Sequence, residues 1–216
     1  MKYPTEFTGQ EIAGLYVHEP SAVVSNLAIF TVCGILFLRH RKIQRREALK
    51  WRGFIFFLGC ASMGGILSHG FPTYLGPELY FGVWWVKNSL VLVANYFATL
   101  AVFEKTAFPK NILRYLALTK GIIACVLLYL SFNFLPAAID LAITYFSILA
   151  ITWRVHRDRS SRFLKVAFLI ALFSGIFYLT PFTTLAGWFT NKDAVHVFAL
   201  VSLLYISMAI SVIETE

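Results

Sequence analysis

Two histidines, His69 and His196, lie at the ends of separate apolar runs. Acids and hydroxyls accompany them: Glu19, Ser21, Ser25, Ser68, Glu78 and Asp193. Imidazoles can bind a metal or move protons near neutral pH, and a carboxylate beside one fixes its tautomer or adds a ligand. Ionisable groups are costly against apolar surroundings, and are functional candidates when found there. Asp193 and His196 are spaced i, i+3 and share a helix face. Each has a plainer alternative. Asp193 suits a helix N-cap or first turn, and His69, before Gly70-Phe71-Pro72, suits a helix C-terminus. Neither alternative accounts for both residues falling on one side of the molecule.

The elements that must position these residues are membrane spans. The chain has 216 residues, of which 58% are hydrophobic and only 14% charged, with a mean hydropathy of +0.70. A soluble domain is nearer to one quarter charged. A span needs about 20 mainly apolar residues. Seven are expected, at 20–38, 52–72, 80–103, 112–133, 135–153, 163–189 and 194–213. The expected fold is therefore all-α, a seven-transmembrane helix bundle forming one domain over residues 1–216. Gly175 and Pro181 predict a kink or tilt in the long sixth span. The first twenty residues carry Lys2, Glu6, Glu11 and Glu19 and no apolar stretch of signal-peptide type, so the first span is expected to be retained.

The net charge of +8 is concentrated in the odd connections. Arg39, Arg41, Lys42, Arg45, Arg46, Lys50 and Arg52 crowd the first. Lys105, Lys110 and Arg114 mark the third, and Arg154, Arg157, Arg159, Arg162 and Lys165 the fifth. Positive-inside logic makes these connections cytoplasmic, with the amino terminus outside and the carboxyl terminus cytoplasmic. The basic stretches read as a topology signal against anionic headgroups, and no nucleic-acid partner is expected. A bacterial inner membrane or a eukaryotic endomembrane fits equally well.

With this orientation Glu19, Ser21, Ser68, His69, Glu78, Asp193 and His196 share the outer face. Asp140 lies early in span five on the same side. Ser21, Ser25 and Asn26 form a polar stripe in span one, read either as helix–helix hydrogen bonding or as support for the cluster. Asn88 and Asn95 are seven apart and are expected to face the bundle interior. Lys87 is expected to pair with Glu78 or Asp140, or to snorkel outward, and Lys120 to snorkel toward the inner side. His40 and His156 are expected to be solvated, and His18 borders the cluster. Cys33, Cys60 and Cys125 lie inside apolar spans with no metal spacing and read as small packing residues. There is no internal repeat, and no G-x-S-x-G, H-E-x-x-H, P-loop or C-x-x-C motif.

Three stretches resemble the CREST superfamily, which includes alkaline ceramidases, adiponectin/progestin-type receptors and lipid-remodelling GPI phospholipases. Glu19-Pro20-Ser21-Ala22-Val23-Val24-Ser25-Asn26-Leu27 is similar to the ceramidase entry into span one. Ser68-His69 ends span two, where the family keeps a zinc-binding histidine. Asn191-Lys192-Asp193-Ala194-Val195-His196-Val197 opens span seven, where the family keeps H-x-x-x-H. The resemblance implies zinc as cofactor and a lipid amide or ester as substrate, with zinc lowering the pKa of its bound water. His69 and His196 match two ligands. Lys192 stands at the third, so Asp193 is the remaining metal candidate. Gly65 stands where the family has a serine, with Ser62 and Ser68 nearby. Glu19, Ser21 and Asp193 are the expected catalytic residues. The leading expectation is a metal-dependent lipid hydrolase. The alternatives are a non-enzymatic lipid- or ligand-sensing protein, favoured by Lys192, and a proton-coupled transporter using Asp140, Lys87 and the histidines. The lack of repeats weighs against the transporter.

Overall fold

The computed structural model describes residues 9–104, 106–154, 158–179, 183–184 and 189–215; the side chains of residues 176, 177, 179, 183, 184 and 189–192 lie outside that description. Among the described residues the chain is all-α apart from two short antiparallel strand pairs. Its helices are α1 (Pro20–Arg39), α2 (Arg46–Gly70), α3 (Pro72–Phe103), α4 (Lys110–Ser131), α5 (Leu135–Arg154), α6 (Arg159–Leu179) and α7 (Asn191–Thr215). By length and composition, six of them (α1 to α5 and α7) could cross a membrane. Large apolar side chains cover much of the outside. On α4 alone, Ile112, Leu116, Ile122, Ile123 and Leu130 are exposed, Leu130 by 69%. A monomer in water rarely shows a continuous apolar patch of that extent, whereas lipid solvates it. The fold fits a multi-pass integral membrane protein.

Helix starts follow the local chemistry. Pro20 opens α1 at a position where a missing N–H costs nothing. Only Phe71 separates α2 from α3. The first turn of α3 is set off by Gly76, at φ +68 and ψ 169, followed by Pro77. That φ favours glycine, and the long straight part of α3 begins after it. Before α1, strands β1 (Gln10–Ile12) and β2 (Leu15–Val17) pair antiparallel. Their turn has positive φ at both Ala13 and Gly14, as a two-residue type I′ hairpin requires. Neither strand is apparent from hydrophobic periodicity.

The sixth span departs from expectation. Helix α6 runs only to Leu179, and a backbone pair, β3 (Thr183–Thr184) with β4 (Phe189–Thr190), precedes α7. A proline interrupts the helical hydrogen-bond ladder, which agrees with a strand, and not helix, at Thr183–Thr184. Pro181 itself lies outside the described residues. Helix α2 also begins six residues before the expected span, taking Arg46 to Trp51 into the helix.

The core is assembled from α1, α2, α3, α5, α6 and α7 around Trp51, Ile55, Ile148, Phe168, Ile206 and Ile210. Trp51 lies against Phe168 with ring centroids 5.8 Å apart. Among the described residues, α4 contributes only Ala124 and Leu128 to a smaller cluster with Trp84, Leu92 and Ala137.

Two expectations for ionisable residues are overturned here. His40 is not solvated. It follows α1 directly, is only 1% exposed, and meets α7 through Ser207 Oγ at 3.0 Å and Glu214 at 3.6 Å. Burial lowers its pKa from 6.5; Glu214 opposes that shift, and Arg39 and Arg52 add to it. A base with a lowered folded-state pKa binds fewer protons folded than unfolded. The stability it contributes is present above pH 6.5 and lost as the pH falls below it. The unfolding midpoint in detergent is therefore expected to drop between pH 7 and pH 5, and His40→Gln to flatten that slope. An unchanged slope in the variant would reject the assignment.

Lys120 does not reach for the inner surface. Its ammonium lies 2.8 Å from the Asp140 carboxylate and donates to Thr144 Oγ1 at 2.5 Å. Asn95 Nδ2 donates to the other carboxylate oxygen at 2.8 Å. Helices α3, α4 and α5 are thereby joined around a carboxylate that is 2% exposed.

Candidate functional site

The histidine cluster is built by close helix contacts. Gly64 on α2 faces α3, and a Cβ there would stand 2.7 Å from Lys87 Cβ. Without one, the Lys87 stem lies flat on α2 and its ammonium reaches the next turn. It donates to Ser68 Oγ at 2.8 Å and lies 3.1 Å from His69 Nε2. The described hydrogen bonds of Lys87 thus run to α2, and not to Glu78 or Asp140 as expected.

Gly65 faces the other way. A Cβ at that position would lie 2.7 Å from Asn26 Cγ, so the serine that the CREST resemblance anticipates there has no room. Asn26 occupies the space and donates to Ala22 O at 2.8 Å.

Glu19 is held to the same histidine twice. Its backbone N–H donates to His69 O at 3.2 Å, and its carboxylate lies 2.5 Å from His69 Nδ1. One tautomer satisfies both described contacts: Nδ1–H donates to Glu19 while Nε2 accepts from Lys87. The ammonium, the imidazole and the carboxylate form a single line from α3 through α2 to the start of α1. Ser68 extends it by donating to Gly65 O at 3.3 Å. The opposed charges on the two sides hold the imidazole in place.

His196 completes the site from α7. Its Nδ1 lies 2.7 Å from Ser25 Oγ, across 171 positions of sequence. Ser25 and His196 are both partly exposed. Ser25 Oγ is also 3.1 Å from Ala22 O, so its proton has two acceptors. The charges acting on His196 are those of His69, Asp193, Lys87 and Glu19. Asp193, one turn earlier, is 1% exposed. Glu19, His69 and Lys87 are thus joined by hydrogen bonds, while His196 meets Ser25 and Asp193 is buried one turn before it on α7.

Other expected members fall elsewhere. Ser21 is partly exposed at the start of α1, and no described contact ties it to the histidines; Ser25, one turn on, meets the imidazole instead. Glu78 is exposed beyond the Gly76 kink. His18 is buried and turns its Nε2 to Thr73 Oγ1. Ser62 donates back to Leu58 O at 3.0 Å. Asn88 and Asn95 are buried, as their spacing implies. The side chain of Lys192, and all of His156, lie outside the described residues.

The donor set fits zinc poorly. Zinc binds imidazole nitrogen at about 2.0–2.1 Å with three protein ligands in a catalytic site. Both ring nitrogens of His69 already face charged partners, and an ammonium stands at Nε2, the position a cation would need. Among the described residues, no three His, Cys, Asp or Glu side chains are grouped to hold a metal. Lys87 is the member that sequence reasoning placed elsewhere. Its backbone lies level with Gly64, more than a turn from His69, and only the length of the lysine side chain brings its ammonium to the imidazole.

A family profile matches residues 21–215, which takes in every helix from α1 to α7; it is that of a family of unknown function, DUF6962. No curated protein matches the chain, and no solved structure does.

Proposed function

The chain belongs to the family of unknown function DUF6962, and from its own site we propose that it is a seven-span membrane protein that binds and hydrolyses a membrane lipid at its outer face. The observation that carries this reading is the convergence of Glu19, Ser25, His69, Lys87 and His196, drawn from α1, α2, α3 and α7, at one end of an apolar bundle. Ionisable groups held at that depth are costly unless they serve a ligand or a reaction. A lipid is the ligand class that reaches such a depth from the bilayer. The proposed cleavage is of an amide or ester, the linkage type acted on by the ceramidase-like proteins that the chain resembles. Histidine and carboxylate groups supply the proton transfers such a reaction needs.

The proposed topology counts α6 as the remaining span, with the amino terminus outside and the carboxyl terminus cytoplasmic. The basic residues around the connections after α1, α3 and α5 support it. A bacterial inner membrane and a eukaryotic endomembrane both suit this arrangement.

One observation favours a second reading, non-enzymatic lipid binding. The Lys87 ammonium beside Ser68 and His69 makes a ready partner for a phosphate or carboxylate oxygen. Incubating the detergent-purified chain with ceramide and with phospholipid in mixed micelles, and measuring free fatty acid, separates the two. Fatty acid release that His69→Ala abolishes is expected. Tightly retained lipid with no release from either substrate would reject hydrolysis and leave binding.

A further inference from the structure

We propose that Ser25 and His196 are a nucleophile and general-base pair, so that the outer site forms a covalent acyl-serine intermediate without a metal. This rests on the hydrolase reading of the same site. The geometry that carries it is the 2.7 Å contact between Ser25 Oγ and His196 Nδ1, within the reach a serine nucleophile and its base require. Three further features of the site fit that role. Ser25 and His196 are partly exposed, so an acyl chain lying along α1 and α7 can bring its carbonyl to them. Asp193 is buried one turn before His196 and acts on its charge; it is a positioning residue that stabilises the imidazolium. Lys87, which donates to Ser68 and lies beside His69 in the same site, supplies a cation for a developing oxyanion.

The steps balance as follows. Ser25 Oγ attacks the substrate carbonyl carbon as its proton passes to His196 Nδ1, giving a tetrahedral oxyanion. The C–N or C–O bond to the leaving group then breaks. The departing amine or alcohol takes the proton from His196, and the acyl group remains on Ser25. Water attacks that ester carbonyl while His196 accepts its proton. The bond to Ser25 Oγ breaks, the proton returns to Oγ, and a fatty acid leaves. No oxidant, reductant or further reactant is required. The competing acceptor, Ala22 O at 3.1 Å, is lost to the hydroxyl when its proton turns toward the imidazole.

The test uses the full chain in detergent and an alkyl fluorophosphonate, which traps activated serines covalently, with the adduct located by peptide mass spectrometry. One adduct per chain at Ser25 is expected in the wild type and none in Ser25→Ala. His196→Ala should slow labelling by about 10²-fold or more, the range for a lost general base. His196→Gln, with the unfolding midpoint measured alongside, separates chemistry from misfolding. No label on Ser25, or a label that forms equally fast in folded His196→Gln, would overturn the pair. Lipid hydrolysis retained in Ser25→Ala would overturn the pair while leaving the hydrolase reading intact. Ser25 labelling together with failure to cleave either lipid would support the pair and reject the lipid as substrate.

Discussion

Asp140→Asn is expected to lower the unfolding free energy in mixed micelles by about 3 kcal/mol, the scale for stranding one partner of a buried ion pair. The carboxylate it neutralises is 2% exposed and is the counterion of Lys120 at 2.8 Å. The hydrogen bond from Asn95 can be kept by the amide, and bonds of that kind between membrane helices average only about 0.6 kcal/mol. The ionic loss therefore dominates. Lys120→Met should cost a similar amount. The double variant should recover most of the loss, because replacing both charges by neutral groups of similar size is often close to neutral. A double variant as unstable as the sum of the two singles would show that the pair is not coupled, and would sink this account of how α3, α4 and α5 are held.

The second large effect concerns Lys87. On the proposed hydrolase reading, Lys87→Met should reduce turnover by about 10²–10³-fold, the range for removing a group that stabilises an oxyanion. A chelator such as 1,10-phenanthroline should leave the wild-type rate unchanged. The reason is the ammonium 3.1 Å from His69 Nε2; it occupies the position that a metal on that nitrogen would take. Mass spectrometry of protein purified without chelator should accordingly find far less than one zinc per chain. About one zinc per chain, released with loss of activity, would sink the reading of His69 as a fixed, metal-free imidazole.

Much of this arrangement is legible in the sequence, for a physical reason. Membrane spans must be apolar over a fixed length, so α1, α4, α5 and α7 fall within a few residues of their expected bounds. The same constraint isolates ionisable residues, which is why Glu19, His69, Asp193 and His196 could be grouped from orientation alone. Pairing is less legible. Lys87 and Lys120 both interrupt apolar runs; the expectation for Lys87 is an ion pair with Glu78 or Asp140 or a reach for water, and for Lys120 a reach for water alone. Which partner each meets depends on helix rotation, and rotation is set by small residues such as Gly64 and Gly65, whose packing no periodicity reveals. Ser25 replaced Ser21 for the same reason: one turn of α1 decides which hydroxyl faces α7. His40 looked solvated because it sits in a run of basic residues, yet α7 extends far enough to cover it with Ser207 and Glu214.

Helices α1 and α7 are tied at both ends, by Ser25 with His196 and by His40 with Ser207. In chain order α1 is made before α7, with the other five helices between them. Until α7 is made, Ser25 has only the acceptor within its own helix, Ala22 O, and His40 has neither Ser207 nor Glu214. Addition of α7 supplies both cross-helix partners at once. A chain that stops short of α7 therefore lacks the cross-helix partner at both ends of α1.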